Sequence, residues 1–118
     1  MIRVYIAGPY TKPDPAVNVH RAIHVGNKLM DAGFAVFIPH LSHFQHLLCP
    51  RPYEDWLAHD YEWLKVCDVV VRLPGESAGA EKECELADRL GIQVIYAHID
   101  RATETLKHWR EARPCPQS

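Results

Sequence analysis

Glu83 and Asp60 are acidic side chains whose helical spacing sets them among apolar neighbours. In SAGAEKECELADRLG (77–91), Ala80, Cys84, Ala87 and Leu90 form an apolar stripe, and Glu83 falls on the same face. With Ser77 or Gly79 as cap, Glu83 is expected within about one turn of the helix N-terminus, where the dipole keeps a carboxylate ionised. An ionised, partly buried carboxylate suits a nucleophile. The plainer role is satisfying backbone donors, although Ser77 is too distant from Glu83 for a capping box. Asp60 shares a helical register with Trp56, Leu57 and Leu64. Burial and a neighbouring carboxylate would raise its pKa and make it a proton donor; a solvated edge aspartate is the alternative. Two carboxyl groups in one cleft are the equipment of glycosidic-bond cleavage, one attacking the anomeric carbon and the other protonating the leaving group.

The elements that position this pair alternate in type. Strands are expected over 2–8, 34–39, 68–73 and 92–97. Helices are expected over 14–33, 53–67, 77–91 and 102–112. Asp14 caps the first helix, Pro15 suits its first turn, and Val19, Ala22, Ile23, Gly26, Leu29 and Met30 make its stripe. Tyr53, Trp56, Leu57, Leu64 and Cys67 share one side of the second helix. The 40–52 segment reads as a long connection, with room for a helical turn. This β-α alternation predicts an α/β fold of flavodoxin or Rossmann type, a three-layer sandwich. Its parallel sheet has four or five strands in the order 2-1-3-4. One domain covers 1–118, with 113–118 a loose tail.

In such sheets ligands bind where the strand order reverses, here between the first and third strands. The exits AGPYTK (7–12) and LPGESAG (73–79) therefore converge on one pocket. Gly8, Tyr10 and Lys12 on the first turn are candidate contacts to a base, sugar or phosphate, as is His40 after the second strand. Ser77 and Gly79 at a helix N-terminus form a phosphate cradle, or else an ordinary cap. Tyr53 and Trp56 are candidates for stacking on a base. His40, His43 and His46 recur at every third position, which is not a zinc spacing, and His20 and His24 lack a third ligand; no metal site is expected.

The 118 residues are 47% hydrophobic, enough for a core, and carry a net charge of −2. That balance argues against a nucleic-acid polymer or a membrane surface as partner. Cys49, Cys67, Cys84 and Cys115 form no C-x-x-C pair, and Cys67 and Cys84 read as small buried hydrophobes of a reduced, cytoplasmic protein. MIRVYIAG is too short for a signal sequence, and no run approaches the roughly 20 apolar residues of a membrane span.

The stretch HDYEWLKVCDVVVRLPGESAGAEKECELADRLG (59–91) resembles the nucleoside 2-deoxyribosyltransferase superfamily, which includes deoxynucleoside 5′-monophosphate N-glycosidases. Asp60, Asp68, Ser77, Gly79 and Glu83 stand at the pattern positions, and YIAGPYT (5–11) is similar to the first strand and substrate-binding turn. The resemblance spans most of the chain and is weakest over 40–53. It implies Glu83 as nucleophile on C1′ of a (deoxy)ribose and Asp60 assisting the departing base. Ser77, where transferases tend to have an acidic residue, implies a 5′-monophosphate. The implied reaction is N-glycosidic cleavage without metal or organic cofactor; base exchange between nucleosides and non-catalytic nucleotide binding are the alternatives. A homodimer or larger homo-oligomer is also implied.

Overall fold

Short β-rich runs, the first three closed by glycine or proline, give four strands: β1 (Arg3–Ala7), β2 (Ala35–Phe37), β3 (Val69–Arg72) and β4 (Gln93–Tyr96). The computed structural model, which describes residues 1–113, joins them in the order β2-β1-β3-β4, with every pairing parallel. The expected sandwich and strand order are therefore observed, with four strands among the described residues. The tail expected over 113–118 lies outside the described residues apart from Arg113. All four residues of β3 are buried, as a strand covered on both faces requires.

Strand alternation sends side chains into two distinct cores. Val4, Ile6, Val69 and Val71 face α1 (Pro15–Asp31) and α5 (Ala102–Ala112), where they meet Ala22, Val25, Leu29 and Leu106. Tyr5, Ala7 and Val70 face the other way, toward α3 (Tyr53–Leu64) and α4 (Ala78–Arg89), against Leu64, Ala80, Cys84 and Ala87. The first core is wholly aliphatic and aromatic.

Helix ends follow local rules. Asp14 accepts from the Ala16 N–H at 2.9 Å and Pro15 opens α1, as expected. Ser77 is the N-cap of α4, its hydroxyl accepting from the Ala80 N–H at 3.1 Å. Four outer positions of the expected stripes are corrected. Met30 is 58% exposed because the sheet contact of α1 is carried by Val19, Ala22, Val25 and Leu29, and Met30 lies a further 100° round the helix. Leu90 is 46% exposed, since α4 has ended at Arg89. Tyr53 is half-exposed, and Cys67 lies past the end of α3, in the turn leading to β3. The 40–52 connection is largely helical: a 3-10 turn at Pro39–Leu41 runs into α2 (Ser42–Leu48).

The two neighbours on α1 give a direct check of this packing. Leu29→Ala is expected to cost about 2–5 kcal/mol in urea unfolding, and Met30→Ala less than about 0.5 kcal/mol. Equal losses would mean that α1 is rotated from the orientation described.

Candidate active site

Parallel pairing of β1 with β3 brings their two exits together. The Leu73 N–H donates to the Ala7 carbonyl at 2.8 Å. A side chain at Gly8 would put its Cβ 3.1 Å from Leu73 Cβ, and one at Gly75 would lie 2.6 Å from Pro9 Cγ. Gly75 also has φ +118°, which L side chains rarely adopt. The convergence expected of 7–12 and 73–79 is thus present, and glycine permits it.

Beneath this junction α4 lays Glu83 on the sheet. Its residue is 8% exposed, and the fully buried Tyr5 donates its hydroxyl to Glu83 Oε2. Tyr5 is held by a stack of rings. Phe37 lies 5.5 Å from it at 25° between planes, and Trp63 lies 5.6 Å beyond Phe37 at 17°. Asp60, from α3, is half-buried on the same side, with His59 Nδ1 3.2 Å from its Oδ1. Its charge raises the pKa of both Glu83 and Tyr5.

The protonation of Glu83 differs from expectation. Burial pushes Glu83 up to about 8, Asp60 adds to the rise, and the Tyr5 hydroxyl and Arg72 oppose it. Glu83 is the sixth residue of α4, beyond the first turn to which the dipole's influence is confined, so desolvation prevails. At neutral pH it rests as the acid, not as the ionised group expected. Burial also raises Asp60, against the pull of His59, in the direction expected of a proton donor. Tyr5 is raised strongly, first by burial and then by Glu83, which keeps it a neutral donor.

The other candidates are used differently from one another. His40 is 4% exposed, and its Nε2 lies 3.0 Å from the Pro9 carbonyl, which fixes the first turn. Burial lowers its pKa, so the ring is neutral; its Nδ1 is buried without a partner. Tyr10 directs its hydroxyl to His43 Nδ1, 2.7 Å away. Asn18 of α1 donates to the Tyr10 and Lys12 carbonyls at 2.9 Å each, while Lys12 itself is exposed. A side chain at Gly79 would meet the Tyr53 hydroxyl at 3.1 Å, and Lys82 Nζ sits 5.4 Å from the Tyr53 ring centre. Trp56 donates from Nε1 to His46 Nδ1 at 2.8 Å. It lines a cavity of about 380 Å³ with Gln45, Arg51, Asp55, Ala58 and His59; Glu83 is not part of that lining. Asp68 accepts from the Arg3 N–H at 2.7 Å and so anchors the start of β1. Among the described residues, no group of three His, Cys, Asp or Glu is arranged to hold a metal ion.

Two residues of the site were not singled out from the sequence, Tyr5 and Arg72. Each interrupts an aliphatic strand run, and that was the available signal. Strand parity then places both on the α4 face, in register as Tyr5↔Val70 and Ala7↔Arg72.

The position of Glu83 makes stability depend on pH. The unfolded chain loses this proton near 4.5 and the folded chain near 8. Between those values the native state binds more protons than the unfolded state. Stability is therefore full below 4.5, falls as pH rises through that window, and levels off above 8. The loss amounts to about 5 kcal/mol at most. Glu83→Gln keeps an acceptor for Tyr5 and removes the titration, so its Tm at pH 9 is expected to exceed wild type. A variant with an unchanged slope of Tm against pH would refute the assignment.

No helix among the described residues is long and apolar enough to cross a membrane. No curated protein matches the chain. A family model described as a domain of unknown function, DUF4406, matches residues 2–96, which include the whole β1–β3 junction, Asp60 and Glu83, and the chain belongs to that family.

Proposed function

We propose that the protein is an N-glycosidase that cleaves a (deoxy)nucleoside 5′-monophosphate. The observation that carries this reading is a single buried carboxyl, Glu83, at the β1–β3 junction, fixed through one oxygen by Tyr5 and electrostatically coupled to Asp60. The resemblance of 59–91 to the nucleoside 2-deoxyribosyltransferase superfamily supports the same assignment.

In this mechanism Glu83 first loses its proton to solvent, while Asp60 is in its acid form. The free carboxylate oxygen attacks C1′ while Tyr5 holds Oε2. The C1′–N bond breaks, its electron pair leaves with the base, and Asp60 supplies the proton that neutralises it. Water, deprotonated by the Asp60 carboxylate, then attacks C1′ of the glycosyl ester; the sugar phosphate leaves and Glu83 is regenerated. Capture of the ester by a second base would make the same chemistry a transfer. Ser77 and the N-terminus of α4 are assigned to the 5′-phosphate, with Gly8, Tyr10, Lys12, His40 and Gly79 around the substrate; Glu76 is exposed to solvent.

The setting belongs to the same proposal. The cysteines are free among the described residues, with Cys67 and Cys84 buried, which accords with a reducing cytoplasm. The protein acts as a homodimer or larger assembly, supported by the exposed Leu41, Phe44, Leu47 and Leu48 on and beside α2. Light scattering is expected to return a mass at least twice the 13.5 kDa of the chain; a monomer at micromolar concentration would contradict this.

Activity is tested by incubating the protein with ribo- and deoxyribonucleosides and their 5′-monophosphates and chromatographing for free base. Base is expected from monophosphates, with kcat/KM rising with pH toward the Glu83 value of about 8. Glu83→Ala is expected to abolish release, and Tyr5→Phe to reduce kcat about 10²-fold and move the ascending limb alkaline. Release only in the presence of a second base would make the protein a transferase. Nucleotide binding without release would make it a binding module. Full turnover by Glu83→Ala would eliminate the nucleophile.

A further inference from the structure

Arg72 ends β3 with a guanidinium where the run DVVVRL is otherwise aliphatic, and it is only 5% exposed. Strand parity directs it to the same face as Val70, toward α4. Its Nη1 donates to the Leu73 carbonyl. Its Nη2 donates to the Gly75 carbonyl at 2.8 Å and to Glu81 Oε1 at 3.0 Å. Of its other donors, Nε–H is buried without a partner.

This is an incomplete charge balance. A buried cation is ordinarily matched by a buried anion. The Glu81 side chain is 59% exposed, whereas that of Arg72 is 6% exposed. Glu81 is thus a solvent-facing partner for a desolvated charge. The buried acid on the same face is Glu83, 8% exposed and bonded to Tyr5, two strand positions from the Ala7 that pairs with Arg72. No direct ion pair joins it to Arg72, which favours its charge from beyond contact distance. The other groups that act on Glu83 do not supply a cation. Tyr5 on β1 donates one hydrogen bond, Asp60 on α3 repels a second carboxylate, and Tyr53 and Tyr61 on α3 are neutral phenols coupled to it.

We propose that Arg72 is a positioning residue with two linked tasks: its guanidinium fork clamps the Leu73–Gly75 turn and Glu81, and it is the counter-cation for the Glu83 carboxylate. The clamp sets the turn that presents Ser77, while the charge allows a buried carboxylate to exist long enough to react. Glu81 moderates the cation, because whatever compensates Arg72 from solvent weakens its hold on Glu83. The consequence for turnover rests on Glu83 being the nucleophile; the charge balance does not.

The test follows the Glu83 carboxyl directly, by carbon-detected NMR titration of the ¹³C-glutamate-labelled full chain, with Glu83→Gln assigning the resonance. Circular dichroism checks the fold of each variant. Arg72→Met is expected to move the Glu83 midpoint alkaline of wild type, Arg72→Lys to bring it back toward wild type, and Glu81→Gln to move it acid. The Leu73–Gly75 turn is expected to exchange its amide hydrogens faster in both Arg72 variants. A folded Arg72→Met with an unmoved midpoint overturns the proposal, as does Arg72→Lys titrating with Arg72→Met. Should Arg72→Met fail to fold, Glu81→Gln decides: an acid shift supports the counter-cation and an unmoved midpoint overturns it. The readout is a titration and not turnover. Absence of base release alongside the expected shifts would overturn the glycosidase reading alone.

Discussion

Burial of one carboxyl group between α4 and the sheet is the constraint on which the site depends. An ionised Glu83 in that position would be costly to desolvate, and the protein responds by raising its pKa and supplying a phenol donor. Tyr5 can serve because Phe37 and Trp63 stack behind it and leave its ring one position. Asp60 and Arg72 press on the same group from opposite directions, one raising and one lowering its affinity for a proton.

The sheet separates its aliphatic core from its buried polar groups by strand parity. Its α1–α5 face is closed by Val4, Ile6, Leu29, Val71 and Leu106, with no ionisable side chain among its buried members. The α3–α4 face carries Tyr5, Arg72 and Glu83 beside Cys67 and Cys84. One apolar face of this quality allows the other to hold polar groups at a net cost, since native stability needs only a modest surplus. The glycines at the junction act by absence: Gly8 and Gly75 let the β1 and β3 exits approach until Leu73 and Pro9 fill the space a Cβ would take.

Much of this was legible in the amino-acid order. Period-two and period-3.6 patterns identify the strands and helices, and β-α alternation with a central valine run yields the 2-1-3-4 sheet. The same patterns mark Glu83 as a carboxyl on a buried face, because helical phase is a local property. They misplace Met30 and Leu90, since the width of a buried stripe depends on what packs against it. They also mark His40, whose buried ring lies 3.0 Å from the Pro9 carbonyl of the first turn.

What the sequence by itself determined is the architecture and the identity of the buried acid, because both follow from residue periodicity along one chain. What only the tertiary structure decided is the protonation of that acid. Glu83 was expected to be ionised from its distance to a helix end, yet its proton affinity is set by residues 78 positions away at Tyr5, 23 at Asp60 and 11 at Arg72. Desolvation and Coulomb interactions act through space, and sequence separation does not encode the distances over which they act.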